Sequence, residues 1–143
     1  MGLTADLFVA EADDARRYEA LRSKGPLPRD KYEGAAFAGL TNLNFEILWS
    51  ILEAQAWNLK AHSLELVSLE GGGETWLFRF PQPLVTKLSS LGPPEMTRAA
   101  ELWSKTAELR CKPSEIAPVV HALVGLARSA ATTGKGLFLW GAL

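Results

Sequence analysis

The sequence predicts an α+β fold in which about five helices pack on a small mixed β-sheet, in one domain over residues 1–143. Three observations support this prediction. The chain has the usual length of a single domain, and its 48% hydrophobic content is near the globular average. Segments with helical spacing of apolar residues stand beside short apolar runs bounded by turn residues. No internal repeat or linker divides the chain.

The amino-terminal region predicts strand, helix and strand in that order. A first strand spans Leu3–Ala10, and a helix then begins after Asp14 and is stopped by the pair Gly25-Pro26. A short second strand covers Ala35–Leu40.

The segment Leu43–Ala56 predicts the central helix of the fold, because its apolar residues cover more than half of the helix circumference. Thr41 is the expected N-cap. Leu40 and Phe45 have the spacing of a hydrophobic staple, and Asn44 stands where a full capping box has Glu or Gln.

The middle of the chain predicts a β-hairpin. One strand runs from Ser63 to Leu69, a turn follows at residues 71–73, which are all glycine, and the second strand runs from Glu74 to Phe80. A triple glycine between two strands favours a turn over a phosphate-binding loop, which would lead from a strand into a helix.

The remaining third predicts three helices and a terminal strand. Pro83 opens a short helix, and a longer amphipathic helix continues to Lys112. Ser114 is the expected cap of the last helix, Gly134 ends it, and Leu137–Trp140 forms the terminal strand. The first strand, the hairpin and the terminal strand are expected to form the sheet.

Charge and cysteine content indicate the compartment and exclude some partners. Lys plus Arg number 15 against 16 Asp plus Glu, so neither nucleic acid nor an anionic membrane is an expected partner. The lone Cys111 cannot form an internal disulfide, which favours a reducing compartment. The sequence contains no run of about 18 apolar residues, so no membrane span is predicted. We therefore expect a soluble, cytoplasmic protein.

The sequence contains no pattern typical of a metal or cofactor site. Cys111, His62 and His121 lie far apart in sequence and lack the spacing of a zinc site, so no metal and no cofactor is predicted. Cys111 beside Arg110 and Lys112 is a weak candidate nucleophile, because basic neighbours lower a thiol pKa. We expect it to be an ordinary cysteine.

Three aromatic and histidine residues are the best candidates for partner or ligand binding. Trp49 and Trp57 are not readily assigned to a core, and tryptophan is enriched at interface hot spots. His62 follows Trp57 in a predicted loop, where functional residues are common. Each of these residues also has a purely structural interpretation.

A second candidate site uses carboxylates. Glu46 and Glu53 lie two turns apart on nearly one side of the central helix, with Trp49 between them. Their backbones would be about 10 Å apart, while paired carboxylates of glycosidases are about 5 to 9.5 Å apart. A solvated polar stripe explains the same residues without chemistry.

The order of elements resembles the small bacterial YfbM-like proteins, a family of uncharacterised domains. The resemblance rests on the opening strand and helix after Met1, the segment Leu43–Trp49, and the segment from Phe80 to Val85 with the long helix and terminal strand beyond it. It covers about half of the chain. It implies an α+β domain of unknown role and assigns no catalytic or binding residue.

Three functions therefore stay open. The leading expectation is a non-catalytic protein-binding domain of the adaptor or immunity type, with an exposed apolar patch that includes an aromatic residue. The alternatives are a small enzyme or ligand-binding protein that uses Glu46, Glu53 or His62, and a homodimer or larger homo-oligomer that associates through its aromatic surface.

Overall fold

The computed structural model describes residues 3–22, 24–25 and 31–143. Within them the chain forms five helices and five strands, which confirms the α+β class. In chain order these are β1 (Thr4–Ala10), α1 (Ala15–Arg22), β2 (Glu33–Ala38), α2 (Asn42–Leu52), β3 (Glu65–Glu70), β4 (Thr75–Arg79), α3 (Gln82–Ser89), α4 (Pro93–Ser104), α5 (Pro113–Thr133) and β5 (Gly136–Ala142).

The strands form one sheet in the order β2-β1-β5-β4-β3, and every neighbouring pair is antiparallel. The prediction of a mixed sheet is therefore wrong. Strand direction depends on how α5 returns the chain to the sheet, and the apolar pattern of an isolated strand carries no such information. The second predicted strand also joins this sheet, as the edge strand β2 beside β1.

Helices cover both faces of the sheet. Leu7 and Leu139, which face each other on β1 and β5, pack into the larger core with α2 to α5. Phe8 and Phe138, the next pair, point to the opposite face and pack beneath α1. Burial on both faces explains why β1 and β5 have continuous apolar runs instead of the alternation of a half-exposed strand.

The helix α2 begins where the sequence predicts and ends earlier. Thr41 is its N-cap, and the Asn44 Oδ1 atom accepts a 2.8 Å hydrogen bond from the Thr41 backbone N–H, so Asn44 replaces the usual Glu or Gln. The helix ends at Leu52 instead of Ala56 because Ala54 adopts a left-handed conformation with φ of 55°. That residue turns the chain into the loop before β3.

The helix α4 also ends before the predicted boundary, at Ser104 instead of Lys112. The Ser104 and Thr106 hydroxyls donate to backbone carbonyls within the last turn, and Arg110 has a positive φ of 43°. Glu108 consequently lies outside the helix, in the connection between α4 and α5.

The helix α5 begins one residue before its predicted cap. Lys112 is the N-cap, and its backbone N–H donates to the Glu115 side chain at 3.0 Å, so Ser114 already lies inside the helix. Gly134 ends α5 with a left-handed φ of 71°, as predicted. The same conformation would strain a side chain other than glycine or asparagine.

Among the described residues, α5 is the one helix whose length and composition are sufficient to cross a membrane. The sequence predicts no span because this segment is not an unbroken apolar run. Polar residues such as His121 and Arg128 interrupt it. In the structure α5 packs against α3, α4 and β1, and eight of its residues are buried. Core helices of globular domains meet the same criterion.

Candidate binding surface

The loop between α2 and β3 is organised around His62, whose side chain is fully buried. The Asn58 backbone N–H donates to Nδ1 at 3.0 Å, so this nitrogen carries no proton and Nε2–H donates to the Glu53 carboxylate at 3.0 Å. The imidazole also meets the Trp49 ring edge to face, with centroids 5.5 Å apart. Each ring nitrogen is therefore used, and His62 holds the loop in shape.

The structure separates the three residues proposed for binding. Trp49 is 6% exposed and belongs to the main core, and His62 is buried, so neither is available to a partner. Trp57 is 42% exposed and remains available. Trp49 is ambiguous in the sequence because α2 is apolar nearly all round, and Trp57 is ambiguous because it lies in the loop beyond α2.

Glu46 is a structural carboxylate and does not belong to a solvated stripe. It is 3% exposed, and its Oε2 atom accepts from the Leu64 backbone N–H at 2.9 Å and from the Asn42 side chain at 3.2 Å. The Leu64 bond fixes the chain as it enters β3. Glu53 points instead to His62, so the two carboxylates hold two different parts of one loop.

Among the clefts in the described part of the chain are two that none of the predicted site residues lines. One is a polar cleft of about 320 Å³ where β1, β2 and the end of α5 meet, bordered by Glu11, Lys31 and Lys135. The other is an apolar groove of about 550 Å³ between α2, α3 and α4. Glu46, Glu53 and His62 therefore line neither of these two clefts.

Cys111 does not have the surroundings of an activated thiol. Partial burial raises the pKa of Cys111, and the nearby Glu115 carboxylate raises it further, so the basic sequence neighbours do not make it an activated thiol. Among the described residues no three His, Cys, Asp or Glu side chains are grouped as metal ligands.

Sequence reasoning missed a buried polar cluster beneath α1. Asp6 is fully buried, and its Oδ2 atom accepts from the Tyr18 hydroxyl at 2.8 Å and from the Arg22 Nε at 2.6 Å. Tyr18 stacks on Phe8, and the Arg22 guanidinium lies over the Trp140 ring. An acidic residue inside a buried strand was the signal, because such a residue requires a partner.

The hairpin carries an apolar surface that the helix layer does not cover. Leu66 and Leu69 on β3 are 57% and 59% exposed, and they lie opposite Phe78 and Trp76 on β4. Phe78 is paired with the β5 residue Leu139, whose side chain belongs to the larger core. The four side chains therefore lie on the sheet face that α2 to α5 cover over the central strands. We call Leu66, Leu69, Trp76 and Phe78 the hairpin shelf.

Trp76 lies flat on the sheet because its neighbour on β5 is Gly141. A Cβ atom at that position would meet the indole nitrogen at 2.0 Å, so only glycine leaves room for the ring. The backbone therefore supports the indole from below, and the outer side of the indole forms part of the shelf.

Acidic residues border the hairpin. Glu74 is the last residue of the glycine turn before β4, and Glu65 and Glu70 stand at the two ends of β3 with side chains on the α1 side. None of the three forms an ion pair within the described residues. The two ends of the hairpin therefore carry carboxylates that have no ion-pair partner in the described part of the chain.

The fold and this surface define a small α+β domain with an incompletely covered antiparallel sheet. Comparison with known proteins adds no assignment, because no family model, no curated protein and no solved structure matches the chain. The resemblance to YfbM-like proteins stays a prediction.

We expect Glu46→Ala to lower the free energy of unfolding by about 1–3 kcal/mol, because the Leu64 N–H loses its acceptor in a buried position. Glu46→Gln keeps an oxygen acceptor and should cost less than half as much. Urea unfolding followed by tryptophan fluorescence measures both variants. Equal losses in the two variants would contradict the role of the Leu64 hydrogen bond.

Tyr18 should make stability depend on alkaline pH. Burial raises the pKa of the Tyr18 phenol well above its usual range, and the Asp6 charge raises it further. The unfolded chain then loses this proton near pH 10 while the folded chain keeps it, so stability falls as pH rises. Relative to Tyr18→Phe, the wild type should lose about 1.4 kcal/mol per pH unit above about pH 10.

Urea unfolding of both chains between about pH 9 and pH 11 tests this expectation. The comparison cancels the titration of lysines, which both chains share. Parallel pH profiles would show that Tyr18 titrates like an exposed tyrosine and would contradict the buried hydrogen bond to Asp6.

Proposed function

We propose that this protein is a non-catalytic protein-binding domain and that the hairpin shelf is its docking surface. The exposure of Leu66 and Leu69 carries the proposal, because two large apolar side chains stand together on a sheet face that is otherwise buried. Exposed apolar patches bordered by polar residues are typical of interaction sites. Trp57 and Leu59, in the loop that leads into β3, are also exposed and are proposed as the flank of this surface.

The proposed partner packs over the face of the hairpin. A β-bulge interrupts β3 between Leu66 and Ser68, and Arg16 donates to the Val67 carbonyl at 3.2 Å, so the strand edge is poorly suited to a further strand. The face, in contrast, continues the surface on which α2 to α5 already lie. An amphipathic helix would extend that helix layer over β3 and β4.

Charge favours a basic partner over a second copy of this chain. The hairpin carries Glu65, Glu70 and Glu74, whose carboxylates are exposed. The electrostatic interactions of exposed charges extend about 8 Å before physiological salt screens them. Two copies that meet at their shelves would bring the ends of their hairpins, which carry these like charges, closer to each other. A helix with Lys or Arg beside its apolar stripe would be attracted instead. Self-association through the same shelf is the second candidate.

Two synthetic amphipathic helices of about 18 residues test the proposal, one with Lys and one with Glu beside the same Leu stripe. Amide spectra of the isotope-labelled chain report where each peptide binds. We expect the Lys peptide to shift β3, β4 and the Trp76 indole, and to bind at least about tenfold more tightly than the Glu peptide.

Matched variants make the result specific. Leu69→Asp should weaken binding of the Lys peptide by about tenfold, whereas Leu21→Asp, at an exposed leucine of α1 on the other side of the sheet, should not. The double variant Glu70→Lys, Glu74→Lys should reverse the preference between the two peptides. Shifts outside the hairpin would overturn the proposal. Concentration-dependent shifts at the shelf without peptide would favour self-association instead.

A further inference from the structure

The groove between α2, α3 and α4 has the dimensions of a small-molecule site. Its volume is about 550 Å³, inside the range of about 300–1,000 Å³ typical of ligand pockets. It lies on helices and away from the hairpin shelf, and no residue of the shelf lines it. Any ligand it holds is therefore independent of the proposed protein-binding surface.

The floor of the groove is apolar and already formed. Leu91 and Ala99 are buried there, while Leu52 is partly exposed and Leu102 is 41% exposed. The wall at the end of α3 is fixed by Arg128, which donates to the backbone carbonyls of the segment from Ser89 to Leu91. The groove thus offers apolar contacts without rearrangement of the helices.

The rim carries two cations without partners. Lys87 and Arg98 are exposed, and their side chains make no hydrogen bond or ion pair within the described residues. Glu95, the acidic residue of the rim, accepts from the Gly92 backbone N–H at 3.2 Å as part of the α4 cap. Two cations and one carboxylate leave a single positive charge, which matches a monoanion.

The α2 end of the groove is held in a strained conformation. The Ala54 and Gln55 backbone N–H groups donate to the carbonyls of Ile51 and Ser50, at 3.0 Å each, in the arrangement that usually places glycine at the left-handed position. Ala54 takes that position with φ of 55° and lines the groove. Strain at a non-glycine residue is concentrated at functional sites, so this wall supports a binding role.

We propose that this groove binds a small amphipathic carboxylate. The apolar body of the ligand lies over Leu52, Leu91 and Leu102. Its carboxylate pairs with Lys87 and Arg98 at the rim. A single carboxylate fits the net charge of the rim better than a phosphate, which carries up to two negative charges.

Decanoate and decanol, both below the concentrations at which they aggregate, test the two parts of this site. The two molecules share an alkyl chain, and only decanoate carries a charge. We expect calorimetry to show tighter binding of decanoate, and amide spectra to place its shifts on the end of α2, α3 and α4. Equal affinities of the two ligands, or shifts elsewhere, would overturn the proposal.

Variants test separately the roles of the rim cations and of the apolar floor of the groove. Each exposed cation is expected to contribute about two- to fivefold, so the double variant Lys87→Met, Arg98→Met should bind decanoate about tenfold more weakly and leave decanol unchanged. Leu102→Glu should abolish decanoate binding, while the matched Leu21→Glu should retain it. An unchanged affinity in the double variant would overturn the pairing. Leu69→Asp, which removes the shelf, should leave decanoate binding intact.

Discussion

Burial of β1 and β5 on both faces is the constraint on which the rest of the structure depends. Paired residues such as Leu7 and Leu139 require the α2–α5 layer, and Phe8 and Phe138 require α1 on the opposite side. Asp6 is the polar exception among the buried side chains of β1 and β5. It is accommodated because Tyr18 and Arg22 of α1 donate hydrogen bonds to it. Since the central strands need two helix layers, the helices are concentrated over the centre of the sheet and the edges receive less cover.

The two proposed surfaces follow from that distribution. Over the hairpin the helix layer stops short, and Leu66 and Leu69 are left without a helix above them. Within the layer, α2 ends early at Leu52, and a groove remains between it and α4. Buried Glu46 and His62, in contrast, are used internally, because both shape one loop. Both proposed recognition surfaces therefore consist of exposed groups: apolar side chains at the hairpin, and apolar side chains with unpaired rim charge at the groove.

The sequence was informative where a residue acts on its own chain neighbours. Thr41 caps α2, Gly134 ends α5, and the glycines of residues 71–73 turn the hairpin, each as expected. It was uninformative where partners come from distant segments. The antiparallel directions, the acceptor role of Glu46 toward Leu64, and the partners of Asp6 all depend on contacts across the fold. For the same reason, Trp49 and Trp57 could not be distinguished, although one is buried and the other is exposed.

Amide hydrogen exchange of the full chain, resolved residue by residue, tests the central claim most directly. Amides of β1 and β5 should exchange only through global unfolding, and the β3 amides that are bonded to β4 should exchange at least about a hundredfold faster, because an uncovered hairpin opens locally. This pattern would show a sheet that is held at its centre and less firmly at the hairpin. Equal protection of these β3 amides and those of β5 would contradict the account, because the hairpin would then be held as firmly as the buried centre of the sheet.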